Sequence, residues 1–276
     1  MFNQDGFVFY DGFYGEPVFN FDIGKEREKV EYIKKHNINR ISLDNNLKDF
    51  SFLQEIDFVE EVYISRNIQN EQLYNLKGLK RLVVNVEEGK PDLDYSKFQK
   101  LEILSIDWYD AFPDLSHNIF LKDLSIWKFK PKSKSLGVLK LPHKLEKLHI
   151  TESNILNMNG LYSKNLKSFE CYYCSSLESL SGISSISENI EIIILDYCSK
   201  LSNYEELGSC KQLNKIILGN CGNIKTLKWL NKLKKVKHFS FWGTKLIDGD
   251  VSPCFGIDFV SFKDAKNYNH KLKEFR

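Results

Sequence analysis

Arginine and alanine are scarce in this sequence. Of 276 residues only five are Arg and two are Ala (Ala111 and Ala265). With abundant Asn and Ile, that scarcity reads as the codon bias of an AT-rich genome. Long apolar runs are missing as well. No stretch approaches the roughly 18 residues that cross a bilayer, which excludes a helical membrane protein. Met1 to Asp5 has neither the basic nor the apolar region of a secretory leader, so a cytoplasmic chain is expected. Net charge of one sign is absent too: 39 Lys and Arg stand against 37 Asp and Glu. A net charge of +2 offers no bulk attraction to nucleic acid or anionic lipid. Catalytic signatures are equally lacking. There is no G-x-x-x-x-G-K-[ST], H-E-x-x-H or G-x-S-x-G, and no Gly-rich dinucleotide turn.

What is present is a repeat. Apolar residues at positions 1, 4 and 6 recur as Ile38-Ile41-Leu43, Val59-Val62-Ile64, Leu79-Leu82-Val84 and Leu101-Leu104-Ile106. The series continues with Leu121-Leu124-Ile126, Leu145-Leu148-Ile150, Leu166-Phe169-Cys171 and Ile190-Ile193-Leu195. It ends with Leu213-Ile216-Leu218, Val236-Phe239-Phe241 and a weaker Ile257-Val260-Phe262. Successive units start 20 to 24 residues apart. Positions 4 and 6 alternate as a strand requires, so both face inward while 3, 5 and 7 face outward. Three return segments carry apolar residues every third position, such as Cys174, Leu177, Leu180, Ile183 and Ile186. That period suits 3₁₀ turns better than a long α-helix.

The L-x-x-L-x-L core at this spacing resembles the leucine-rich-repeat family. The resemblance implies an α/β solenoid: a right-handed, curved parallel sheet of about 11 strands over 38–264, with a turn-rich convex side. Its open concave face would serve as a binding surface. Residues 1–37, rich in Phe and Tyr, read as an N-terminal cap of hairpin plus short helix, with Val30 and Ile33 inward and charges elsewhere. Residues 265–276 read as a frayed tail or cap.

Cys174, Cys198 and Cys221 occupy one repeat position, which is Asn or Cys in the family the chain resembles. They are expected to turn inward and bond to backbone where strands end. Cys171-Tyr172-Tyr173-Cys174 is a lone C-x-x-C without a second pair or paired His at ligand spacing, so no metal or cofactor is expected.

The outward positions of the five central strands hold five Trp or Tyr and five acids among twenty residues, against two Lys. Asp107, Trp108, Trp127, His149, Glu152, Glu170, Tyr172, Tyr173, Asp196 and Tyr197 are therefore candidate partner-binding residues. Arg40, Arg66 and Arg81 project from the first three strands and are further candidates. Arg40, Glu61 and Arg81 also share position 3, which predicts an ion-pair ladder. The expected partner is a protein with a basic surface, drawn by complementary charge, and neither nucleic acid nor membrane. A toxin domain blocked by an immunity protein is the concrete form of that expectation. The other readings are a thiol- or His-dependent enzyme and a scaffold or adhesin fragment.

Overall fold

A computed structural model of the chain describes residues 1–12, 15–65, 71–85 and 93–275. They form two compact units, Met1–Lys122 and Asp123–Arg276.

The first unit begins with β1 (Phe2–Gln4), β2 (Phe7–Asp11) and β3 (Pro17–Phe21), joined antiparallel in order. After α1 (Glu26–His36) the chain turns parallel, with β4 (Arg40–Leu43) beside β3. Strands β5 (Glu61–Ser65), β6 (Arg81–Asn85) and β7 (Ile103–Asp107) follow in parallel register. Phe9, Phe19 and Phe21 are buried, and Phe21 stacks on Phe52 at 4.0 Å between ring centroids. These cap aromatics extend the repeat core, while Phe2 and Tyr10 are exposed.

Helix α1 carries Glu26 and Glu28 in its first turn and Lys34, Lys35 and His36 in its last, matching the helix dipole. Val30 and Ile33 face inward as the pattern requires. Lys29 departs from the expected outer placement. Its ammonium is buried, paired with the Asp22 carboxylate and donating to the Asp22 and Gly24 carbonyls at 2.8 and 2.6 Å. A buried cation persists because its donors are all taken.

The second unit is wholly parallel. It contains β8 (Asp123–Trp127), β9 (Lys147–Thr151), β10 (Ser168–Tyr172) and β11 (Ile192–Asp196). Beyond them lie β12 (Lys215–Gly219), β13 (His238–Trp242) and β14 (Phe259–Phe262). Each pairs with its successor without a slip, so equivalent repeat positions stack. Positions 4 and 6, such as Leu148 and Ile150 or Ile193 and Leu195, are fully buried. The return segments are 3₁₀ turns, among them Ile183–Ile186, Glu205–Ser209 and Lys228–Lys232.

Two further ladders run along the stacked repeats. At position 2 the pairs Glu60–Lys80 (2.6 Å), Glu102–Lys122 (3.0 Å) and Glu146–Lys167 (3.1 Å) join neighbouring repeats. Being half exposed, each is worth about 0–1 kcal/mol and fixes register more than stability. At position 8, one residue past the strand, Lys128, Glu152, Tyr173, Tyr197 and Asn220 have φ between 46° and 56°. This left-handed turn aims the amide sideways: Glu152, Tyr173 and Tyr197 donate to Tyr172, Asp196 and Gly219 carbonyls at 2.9, 2.9 and 3.0 Å.

Ala265–Phe275 folds back on the last repeat instead of fraying. Asn269 accepts from the Val251 amide at 2.9 Å, and Phe275 stacks on Phe255 at 4.4 Å.

Candidate functional site

Outward residues of the second unit form an interlocked row. Parallel strands lie about 4.8 Å apart, which brings even diagonal pairs between positions 5 and 7 of adjacent strands within reach of aromatic rings. Trp127 meets His149 at 5.9 Å, and His149 meets Tyr172 at 4.8 Å. The His149 ring bonds Thr151 Oγ1 at 2.9 Å. Its burial pushes the imidazole pKa down, so the ring in this row is neutral near pH 7. Tyr172 donates to Glu170 at 3.2 Å, and its burial beside that carboxylate holds the phenol protonated. Lys147 pairs with Glu170 at 3.2 Å, and Ser168 donates to it at the same distance. At the strand ends Tyr173 and Tyr197, 54% and 46% exposed, stack at 4.7 Å with 14° between ring planes.

The other predicted residues divide. Asp107 and Glu170 sit at outward positions but are only 7% and 9% exposed, so neither presents a broad contact surface. Facing outward on a sheet is not the same as being uncovered. Trp108 is half-buried and stacks on Phe112 at 5.0 Å. Glu152 is exposed. Asp196 accepts from the Tyr197 amide at 3.0 Å and from Asn220 Nδ2 at 3.1 Å.

In the first unit, Glu61 lies between Arg40 (3.2 Å) and Arg81 (3.8 Å), and Tyr63 donates to it at 2.5 Å. Arg40 also pairs with Glu16. Burial, then the nearby Glu61 carboxylate, pushes the Tyr63 phenol up to about 12. The arginines thus occupy the ladder arrangement. Arg66 lies outside the described residues.

All six cysteines are free and buried. Cys174 Sγ approaches the Tyr172 carbonyl at 3.4 Å, and Cys221 Sγ approaches those of Gly219 and Leu195 at 3.1 and 3.3 Å. Cys198 makes longer contacts of the same kind with Cys171 and Asp196. Burial favours the protonated thiols, pushing Cys210 up to about 11 and Cys254 to about 12. Among the described residues, no group of three or more His, Cys, Asp or Glu could hold a metal ion, and no helix is long and apolar enough to cross a membrane.

A feature absent from the predicted set lies on later strands. Ile194 and Ile217 are half-buried on the outward face, and Trp242 and Phe259 are exposed there. The same position-3, 5 and 7 register that marks Trp127 and Tyr172 marks these residues too.

No protein-family model matches the chain, and no curated protein matches it in sequence. Among solved structures it is similar to an internalin, InlF, from Listeria monocytogenes. The TM-score is 0.55 at 16% identity, covering 83% of this chain and 73% of that one. It is also similar to the functional domain of InlJ from Listeria monocytogenes, which includes a cysteine ladder. There the TM-score is 0.52 at 16% identity, covering 81% of this chain and 50% of that one. The chain has the leucine-rich-repeat fold.

Proposed function

We propose that this leucine-rich-repeat chain is a non-enzymatic protein-binding module whose contact surface is the outward sheet face of Asp123–Arg276. The partner is a protein with a basic surface. In the most specific form of this reading it is a toxin domain that the chain occludes as an immunity protein in a bacterial cytoplasm. One observation carries the proposal: an aromatic row, Trp127–His149–Tyr172, is continued at the strand ends by the exposed Tyr173–Tyr197 stack. Aromatic rings already held by neighbours lose little entropy on binding and bury much area, the properties of interface hot spots. Glu152 and Asp196 beside them favour basic groups over acidic ones. Thiol chemistry fits the geometry poorly, because all six sulfurs are buried.

The test is affinity capture from the source cells with the wild-type chain and a Trp127→Ala/Tyr172→Ala variant. One dominant basic protein held by the wild type and lost by the variant is the expected result. Recovery of the same proteins by both would remove this face as the binding site.

A further inference from the structure

We propose that Asp196 and Trp242 form a seat for one arginine side chain of the partner. This rests on the reading above, that a basic protein is held on this sheet face, and names the group it would insert.

The seat follows from the register. Asp196, Gly219 and Trp242 are direct neighbours at position 7 of β11, β12 and β13. Gly219 has no side chain, and the carboxylate and the indole lean over it from opposite sides. A Cβ placed at residue 219 would collide with Asp196 Oδ1 and would come within 2.7 Å of two indole ring carbons. The glycine therefore lets an acid and an aromatic ring share one small space.

Each wall suits a cation. Asp196 is held by two neutral donors, the Tyr197 amide and the Asn220 side chain, both on its Oδ1 oxygen. Glu61 has two guanidiniums and Glu170 has an ammonium, whereas Asp196 has no cationic partner among the described residues. Lys215, the lysine of the adjacent strand's outward face, is four residues from Gly219, roughly 13 Å along the strand. Trp242 is 42% exposed, so its ring has surface open to a ligand. An indole attracts a cation, and Trp is the strongest such ring. The half-buried Ile194 and Ile217, two residues back on β11 and β12, offer apolar surface for an aliphatic stem. A guanidinium satisfies both walls at once, because its plane stacks on the ring while its edge donates to the carboxylate.

The experiment uses the full chain and two capped tripeptides, acetyl-Gly-Arg-Gly-amide and its citrulline counterpart, which is nearly isosteric but uncharged. Binding is followed by the Trp242 indole and Tyr197 amide signals in nitrogen–proton correlation spectra. Saturable shifts are expected with the arginine peptide at millimolar concentration, at least fivefold weaker with citrulline. Asp196→Asn and, independently, Trp242→Leu should each weaken arginine binding at least fivefold while the remaining spectrum keeps its dispersion. Equal response to both peptides, or no response at these signals, overturns the seat. The two proposals fail separately: a lost seat leaves capture dependent on Trp127 and Tyr172 untouched. A partner indifferent to Trp127 and Tyr172 removes the wider reading and leaves the peptide result standing.

Discussion

On β4 to β6 the carboxylate of Glu61 is enclosed by Arg40, Arg81 and the Tyr63 hydroxyl, whereas on β11 the carboxylate of Asp196 meets only an amide and an asparagine. Both acids project from outward positions of parallel strands, so sheet geometry does not distinguish them. What differs is the residue on the flanking strands: arginine on both sides of Glu61, and Tyr172 and Gly219 on either side of Asp196. The first face consumes its charges internally and rewards stability. The second leaves charge and aromatic area without an internal cation among the described residues, as the proposed binding role requires. Removing a charge should therefore destabilise the first and, on the proposed reading, weaken binding at the second.

The largest effect is expected at Gly219. Gly219→Ala places a methyl against Asp196 and Trp242, and overpacking of this kind costs about 1–3 kcal/mol. Urea denaturation should show that loss, together with altered near-ultraviolet circular dichroism as the indole shifts. A smaller loss, about 1–2 kcal/mol, is expected for Glu61→Gln, which removes the carboxylate shared by two partly covered guanidiniums. Asp196→Asn in the same assay should stay within about 0.5 kcal/mol of wild type. Equal losses for Glu61→Gln and Asp196→Asn would erase the distinction between the faces.

Tyr173 sharpens it at the strand end, where backbone cost and surface exposure coincide. Its φ of 56° suits glycine, so Tyr173→Gly should be more stable than Tyr173→Ala by about 1 kcal/mol. Both should lose the ring stack on Tyr197, which thermal melts of the two variants separate from the backbone effect. The mildest effect is one of pH. Burial lowers the His149 pKa in the folded state below its value of about 6.5 in the unfolded chain. The unfolded state then takes up the proton first. Stability should fall as pH drops from about 6.5 toward the folded pKa and be unaffected by this group above about 6.5. A His149→Gln variant should lack that component, and a proton NMR titration should find the His149 midpoint below 6.5.

Much of the scaffold was legible beforehand because burial repeats. The alternation at positions 4 and 6 placed every strand from β4 to β14, and the period of three in the return segments anticipated the 3₁₀ turns. The inward turn of Cys174, Cys198 and Cys221 followed from their shared position after the strand. Three features were not legible. The left-handed turn at position 8 is carried by Lys128, Glu152, Tyr173 and Tyr197 as well as by Asn220 and Gly243, and only the last two are residue types that favour positive φ. The low exposure of Asp107 and Glu170 is not contained in a single strand's alternation; for Glu170 it accompanies an ion pair with Lys147 of the adjacent repeat. Lys29 reads as a surface charge on the helix, and only the convergence of Asp22 and Gly24 beneath it explains its burial. The Trp242 seat sits between these cases. Its register was readable, but its walls lie on alternate strands and meet only because Gly219 separates them.

On the proposed reading, binding resides on the sheet face of Asp123–Arg276 and the arginine ladder of β4 to β6 is structural. Titration calorimetry with the captured partner tests it directly, comparing wild type, Trp127→Ala/Tyr172→Ala and Arg40→Gln chains that remain folded. At least a thirtyfold loss of affinity for the aromatic variant, with Arg40→Gln within threefold of wild type, is the expected result. An aromatic variant that binds as wild type while Arg40→Gln fails would contradict the account.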